Sequence, residues 1–268
     1  MKALDFFFDD RYLSEMGYVV CSLDNQENIK KTSVSKIEYT TVKTPNRSIW
    51  NKANSTDTEP LTTTIQILKL SCDDPTPQEL TSTEIAEMTR WLCRSDKYCR
   101  FSFLQDGYEE IYYNVKIDLD KIDVYGITCG FELIITADRP YGLTDEIISS
   151  INVTPTSPYI IYDTSDVIGY TYPDLFIIVC EEAGNLTLTN SIDNRQTIIK
   201  NCTNGEVIEL NGKTMQITSS DLQHNISDDF NYNFPRIGNT KNIRENIFTT
   251  TKNCSITISW SVNRKVGL

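Results

Sequence analysis

Short runs rich in Ile, Val, Thr, Tyr and Phe alternate with polar positions along most of the chain and stop at turn residues. That period of two is the pattern of half-buried strands. Thr62–Leu68, Tyr112–Ile117 and Phe131–Ile135 are clear cases. Val207–Leu210 and Met215–Ile217 flank Asn211-Gly212, a pair that accepts positive φ at both positions and so predicts a two-residue hairpin. One stretch changes period. Thr81-Ser82-Thr83-Glu84 fits a capping box, Leu80 and Ile85 sit where a hydrophobic staple would, and Ile85, Met88 and Leu92 recur at helical spacing beside Trp91. A helix over about 82–93 is expected, its apolar stripe serving as core.

Two stretches break the alternation. Asp24 to Pro60 is polar, with isolated apolar residues that repeat at neither two nor 3.6. It reads as two long, thin strands with a loop around Thr44-Pro45-Asn46, or as a disordered loop. Strands so poor in apolar residues bury too little to stand alone, and an arm laid on a neighbouring subunit would resolve that. The second break is Thr144 to Pro158, rich in Ser, Thr, Asp and Pro, after which strands resume at Tyr159. The expected division is therefore 1–148, with the arm at about 24–60, and 149–268.

Composition sharpens this picture. With 39% hydrophobic residues in 268, the chain can bury a core and is not intrinsically disordered. It carries 37 acidic residues against 25 basic ones, a net charge of −12, which opposes steering toward nucleic acid or an anionic bilayer. No apolar run approaches the ~20 residues of a membrane-spanning helix. The acids within Met1–Asp10 interrupt what a secretory signal would need, so synthesis and retention in a cytoplasm are expected. Residues 1–148 hold 25 acids and 16 bases, net −9, whereas 149–268 hold 12 and 9, net −3. After Asp229 six bases face Glu245 alone, a solvated face or an edge that docks on an acidic neighbour.

Catalytic signatures are sparse. His224 is the single histidine, in the polar stretch Asp221–Asn225, and reads as a surface loop residue because nothing nearby supplies triad logic. The eight cysteines include no Cys-x-x-Cys pair and several lie in apolar strands, which favours free, buried thiols over disulfides or zinc. There is no P-loop and no Gly-x-Gly-x-x-Gly. The acidic run Asp118-Leu119-Asp120-Lys121-Ile122-Asp123 lacks the spacing of a helical calcium loop and reads as a solvated turn. The expectation is a non-enzymatic binding or assembly protein without cofactor or metal.

The order of features resembles the distal tail proteins of long-tailed bacteriophages of Gram-positive hosts. The resemblance begins at Phe6-Phe7-Phe8-Asp9 and Met16-Gly17-Tyr18-Val19-Val20, and passes through the helix end with Trp91 and Leu92. Tyr98–Phe103, the turn at Asp106-Gly107, Tyr112-Tyr113, Gly126 and the exit Asp138-Arg139-Pro140-Tyr141 follow. In the second half it rests on Tyr172-Pro173, Leu186–Asn190, Phe234-Pro235-Arg236-Ile237, Asn242-Ile243 and a last strand ending in Trp260. One departure is Thr240, where a glycine is expected shortly before Asn242.

The resemblance implies a mainly β protein: an amino-terminal β-sandwich with one helix and an extended arm, then a galectin-like β-sandwich. It implies a homo-hexameric ring at the tail tip of a virion. The ring would join the tail tube protein to the tail-associated tip protein, with receptor-binding proteins or cell-wall glycan outside and DNA passing only in transit. Ile37, Tyr39, Val42, Ile49 and Trp50 are the expected arm contacts between subunits. A carbohydrate-binding receptor protein of a phage tail is the alternative, and a cell-wall hydrolase a distant third.

Overall fold

The computed structural model describes residues 5–21, 37–43, 50–57, 59–69, 78–108, 110–240 and 242–267. The chain separates into two compact units, Met1–Thr144 together with Arg264–Leu268, and Asp145–Asn263. The polypeptide thus leaves the first unit once and returns to it at its last residues. The division at 148/149 expected from composition lies close to the first crossing and did not include this return.

In the first unit the strands are β1 (Asp5–Phe8), β2 (Arg11–Tyr12), β3 (Tyr18–Cys21), β4 (Ile37–Lys43), β5 (Trp50–Asp57), β6 (Thr62–Lys69), β7 (Cys99–Leu104), β8 (Ile111–Val124), β9 (Ile127–Ala137) and β10 (Gly142–Thr144). One hydrogen-bonded path runs β2-β1-β7-β8-β9-β6-β3, with β10 on β8. Period-two burial puts Phe6, Phe8, Phe101, Phe103, Tyr113, Val115, Phe131, Leu133 and Ile67 on one face of this path, and together they make the core. Helix α1 (Ser82–Leu92) closes that core with Met88, Trp91 and Leu92, and Leu80 and Ile85 pack with them. Its capping box is formed: Thr81 Oγ1 accepts from Glu84 N–H, and Glu84 accepts from Thr81 N–H at 2.9 Å. Glu84 also pairs with Lys69. That hydrogen bond, reinforced by Thr81, holds the Glu84 carboxyl down to a pKa of about 2.

The acidic run 118–123, read as a turn, lies instead inside β8. The correction has a simple cause. Val115, Ile117 and Leu119 face the core while Lys116, Asp118 and Asp120 face out, so the run continues a strand whose outer positions happen to be charged.

The second unit is a sandwich of two antiparallel sheets. Its strands are β11 (Ile147–Val153), β12 (Tyr159–Tyr162), β13 (Gly169–Thr171), β14 (Leu175–Cys180), β15 (Gly184–Asn190), β16 (Arg195–Cys202), β17 (Val207–Asn211), β18 (Gln216–Ser219), β19 (Ile237–Asn239), β20 (Glu245–Thr250) and β21 (Cys254–Trp260). One sheet has the order β11-β21-β14-β17-β18, the other β12-β20-β15-β16. Phe176 and Ile178 of the first sheet share a core with Leu186, Leu188 and Phe248 of the second, and the Phe176 and Phe248 rings stand 5.9 Å apart. A single helical turn, α2 (Ile226–Asp229), follows β18.

Two local expectations are corrected here. Thr144–Pro158 is not a bare linker, because β11 pairs with β21 over its whole length, from Ile147↔Trp260 to Val153↔Cys254. Its backbone is satisfied by the ladder while Ile147, Ile148 and Ile151 stay exposed, so no burial pattern marks it in the sequence. Asn211-Gly212 does turn the chain, but not as a two-residue loop: Asn211 pairs with Gln216, leaving 212–215 between them. The Asn211 side chain accepts from Lys213 N–H at 3.0 Å and Thr214 N–H at 2.9 Å, an Asx turn. Gly212 is required by space, since a Cβ there would lie 2.0 Å from the Pro173 carbonyl oxygen. Where the resemblance expects glycine, Thr240 closes the turn itself, its hydroxyl accepting from Ile243 N–H at 3.0 Å.

Candidate assembly surfaces

Three features stand out beyond the cores. The first is the β4–β5 ladder, paired from Ile37↔Asp57 to Lys43↔Trp50 with one irregularity at Thr40/Thr41. Among the described residues these strands hydrogen-bond only with each other and form a sheet of their own. A two-stranded ribbon without further cover is marginal in water. Ile37, Tyr39, Val42 and Trp50 lie on it, and Ile49 falls outside the described residues.

The second is the outer face of the first unit's sheet. Asp118 and Asp120 of β8 point outward and are exposed. Asp120 stands directly opposite Glu132 of β9, and Glu132 is in turn opposite Gln66 of β6. Like charges facing each other across a ladder are destabilising. Lys116 offsets Asp118 at 3.5 Å, but among the described residues no ion pair joins Asp120 or Glu132 to a base. Toward the other end of the path the same sheet carries a cleft of about 330 Å³, lined by Phe7, Asp10, Tyr12, Arg100, Ser102 and Leu104. Phe7 and Tyr12 meet edge to face at 5.2 Å, and the Arg100 guanidinium lies 4.2 Å over the Tyr112 ring.

The third is buried and polar. His224, read as a surface residue, has a side chain only 3% exposed, against a Glu206 carboxylate that is fully enclosed. His224 lies in the loop between β18 and α2. Its Nδ1 lies 2.6 Å from Glu206 Oε1, and Nε2 lies 3.2 Å from Asp229 Oδ2. Glu206 also accepts from Ser219 Oγ at 2.6 Å and from Thr203 N–H at 2.7 Å. Burial by itself raises the Glu206 carboxyl pKa, but the Ser219, His224 and Thr203 donors bring it below its ordinary value. Burial likewise pulls His224 down, and the Glu206 hydrogen bond and charge reverse this and raise it. Ser219 Oγ and His224 Nδ1 both meet Glu206 Oε1, and among the described residues no hydrogen bond joins the hydroxyl to the imidazole. The carboxylate holds the histidine in place as a buried charge partner. Among the described residues no group of three or more His, Cys, Asp or Glu side chains is arranged for a metal ion.

The remaining positions singled out in the sequence divide by burial. Trp91, Leu92, Phe234, Pro235 and Trp260 are core. Pro140 and Tyr141 are half-buried after β9, while Asp106 and Asn242 are exposed in turns. These residues do not converge on one place. The acidic run of β8 was visible in the sequence but its place in a strand was not, alternation through 111–120 being the available signal, and no local signal marks the Glu206–His224 pair.

Comparison with known proteins agrees with this architecture. Residues 1–139 match a family model described as the phage tail protein N-terminal domain, and residues 141–260 one described as the phage tail C-terminal domain. No curated protein matches the chain. Among solved structures it is similar to Dit (gp 19.1) of phage SPP1, described as a paradigm of the hub adsorption apparatus in phages infecting Gram-positive hosts. The TM-score is 0.66 at 11% identity, over 97% of this chain and 99% of that one, a likeness of fold. The chain belongs to this family of phage tail proteins.

Proposed function

We propose that this chain is a structural, non-enzymatic hub of a phage tail tip, a ring of six copies that joins the tail tube to the tail-associated tip protein and its receptor-binding apparatus. The observation that carries the reading is the β4–β5 ribbon, whose strands among the described residues pair only with each other, within a fold that matches a hub protein over its full length. A ribbon that is marginal alone gains cover when laid on the next subunit, and head-to-tail contacts of this kind close into a ring. Ile37, Tyr39, Val42, Ile49 and Trp50 would supply those contacts. Residues 1–148 form the ring in this reading, and 149–268 face outward.

The acidic outer face of β8 and β9 fits a lumen through which DNA passes. Like-charge repulsion keeps a polyanion from adhering to the wall, which gives a reason for retaining Asp120 opposite Glu132 against the cost to the sheet. The reading is tested by solution mass and negative-stain imaging of the full chain. A ring of six with an acidic lumen supports it; a strict monomer at high concentration, or a neutral or basic lumen, overturns it. Val42→Asp with Trp50→Asp is expected to reduce the ring to single copies, each lost contact weakening the interface by about 2 kcal/mol.

A second reading, a carbohydrate-binding receptor protein, draws on the second unit. Tyr170 is 44% exposed with the Arg236 guanidinium 3.8 Å over its ring, and Tyr162 is 65% exposed. The guanidinium covers one face of the Tyr170 ring, and the exposed aromatic surface and donors that remain suit a sugar. Glycan-array binding that disappears with Tyr170→Ala would favour this reading over the hub.

A further inference from the structure

The inward-facing row shared by β14 and β21 ends in two cysteines. Across this ladder Phe176 stands opposite Ile258, Ile178 opposite Ile256 and Cys180 opposite Cys254, and all six side chains are buried. The hydrogen-bond phase of the ladder fixes how close the last pair comes. Glu181 N–H donates to the Asn253 carbonyl at 3.1 Å, so the position next to the cysteines is the hydrogen-bonded one. The Cys180 backbone bonds on its other side: its N–H donates to the Glu206 carbonyl at 2.9 Å, and its carbonyl accepts from Gly205 N–H at 2.7 Å. Cys180 and Cys254 are therefore a non-hydrogen-bonded pair, the kind whose Cα atoms approach to about 4.5 Å. That separation lies at the tight end of the roughly 4.4–6.8 Å that a disulfide accepts. Both thiols are free in this structure. Cys202, on the opposing sheet, donates its thiol to the Ile199 carbonyl of its own strand at 3.6 Å.

We propose that Cys180 and Cys254 are the site of a cross-strand disulfide that staples β14 to β21 once the protein meets an oxidising medium. A tail protein is folded in a reducing host cytoplasm and works outside it, so both states are on its path. The oxidant is a small disulfide, RSSR. One of the two cysteines attacks it as the thiolate, forms a mixed disulfide and releases one RS⁻. The thiolate of the other then attacks the cysteine sulfur of that mixed disulfide and expels the second RS⁻. Two thiols are oxidised by two electrons, their protons pass to the two RS⁻, and RSSR is reduced to two RSH. The pair is buried but lies one residue from exposed Glu181, so fraying of this end of the sheet admits the reagent. The inference does not depend on the ring.

The test uses the full chain, purified reduced and incubated with oxidised glutathione in urea below the unfolding midpoint, so that local opening is not limiting. Peptide mapping without reductant is expected to find Cys180 joined to Cys254, with the loss of two hydrogens. Closing a loop of about 75 residues lowers the unfolding equilibrium constant by about a thousandfold from chain entropy alone. The tight pair gives part of that back as strain, so a gain of at least about tenfold is expected, and a thiol reductant should reverse it. Cys202→Ala should leave the bond and its gain intact, and Cys254→Ala should abolish both. Persistent free thiols, glutathione adducts alone, Cys180 joined to Cys202 instead, or a Cys180–Cys254 bond without added stability would overturn the proposal.

Discussion

Replacing His224 with leucine is expected to destabilise the second unit by about 3 kcal/mol. The imidazole is nearly fully enclosed and its two nitrogens face Glu206 and Asp229. Removing it leaves an enclosed carboxylate without its cation, and breaking one side of a buried pair costs far more than the pair contributes as a whole. Ser219 and Thr203 still donate to Glu206, and the carboxyl can take up a proton, which keeps the loss toward the lower end of the range. Calorimetry of the full chain should show the second unit's transition fall by about 10 °C. Adding Glu206→Gln removes the buried charge while keeping an acceptor for Ser219 and Thr203. The double variant should therefore lose less than the sum of the two single changes, a coupling that a packing defect alone would not produce.

The same pair sets a pH window. His224 is raised above its ordinary 6.5 in the folded unit, so its contribution is full below 6.5 and is lost as pH rises through the raised value. Glu206 is lowered below 4.5, so its contribution is full above 4.5 and is lost as pH falls through the depressed value. The stability difference between the native chain and His224→Leu is greatest between these two ordinary values and shrinks on either side. A difference that stays flat from pH 4 to pH 9 would show that the histidine acts through packing and not through charge.

How much of this was legible in the chain depends on whether the cause is local. The α1 capping box is written in four consecutive residues, Thr81 to Glu84, and the structure forms it as read. Strands β6, β8 and β9 alternate because one face of each meets the core, and alternation is a local record of burial. β11 is different: only Val153 of its seven residues is buried, and its existence rests on ladder bonds to β21, a hundred or so positions away. The position of His224 is equally non-local, since Glu206 lies on the far side of the β17–β18 hairpin. The cation is hidden by a partner that sequence proximity cannot nominate. For the assembly surfaces, sparse apolar residues within 24–60 mark a segment unable to stand alone, whereas the Asp120–Glu132 opposition requires the register of β8 on β9.

Trp91→Ala is expected to cost the first unit about 3–5 kcal/mol. The indole is 7% exposed, stacks on Phe6 with ring centroids 6.2 Å apart and meets the Phe8 ring edge-on at 6.0 Å. Its Nε1–H donates to the Phe8 carbonyl at 3.1 Å, so the helix is tied to β1 by a hydrogen bond as well as by area. Trp91→Phe separates the two: it keeps an aromatic ring in the site but removes the donor and leaves a buried carbonyl short of a partner, a loss of about 1–3 kcal/mol. The ordering native, Phe, Ala in denaturant midpoint checks the assignment, and equal losses for Phe and Ala would mean that the hydrogen bond carries nearly all of it. The consequence reaches assembly. β1 sits beside β2 at one end of the sheet path and presents Phe7 to the cleft with Tyr12, so loosening its hold on α1 frees the strand that positions that face. If the cleft takes part in the proposed ring, Trp91→Ala lowers the assembled fraction even under conditions where the first unit remains folded, and Trp91→Phe lowers it less. A first unit that loses stability but assembles in full would place the contacts between subunits on the β4–β5 ribbon alone.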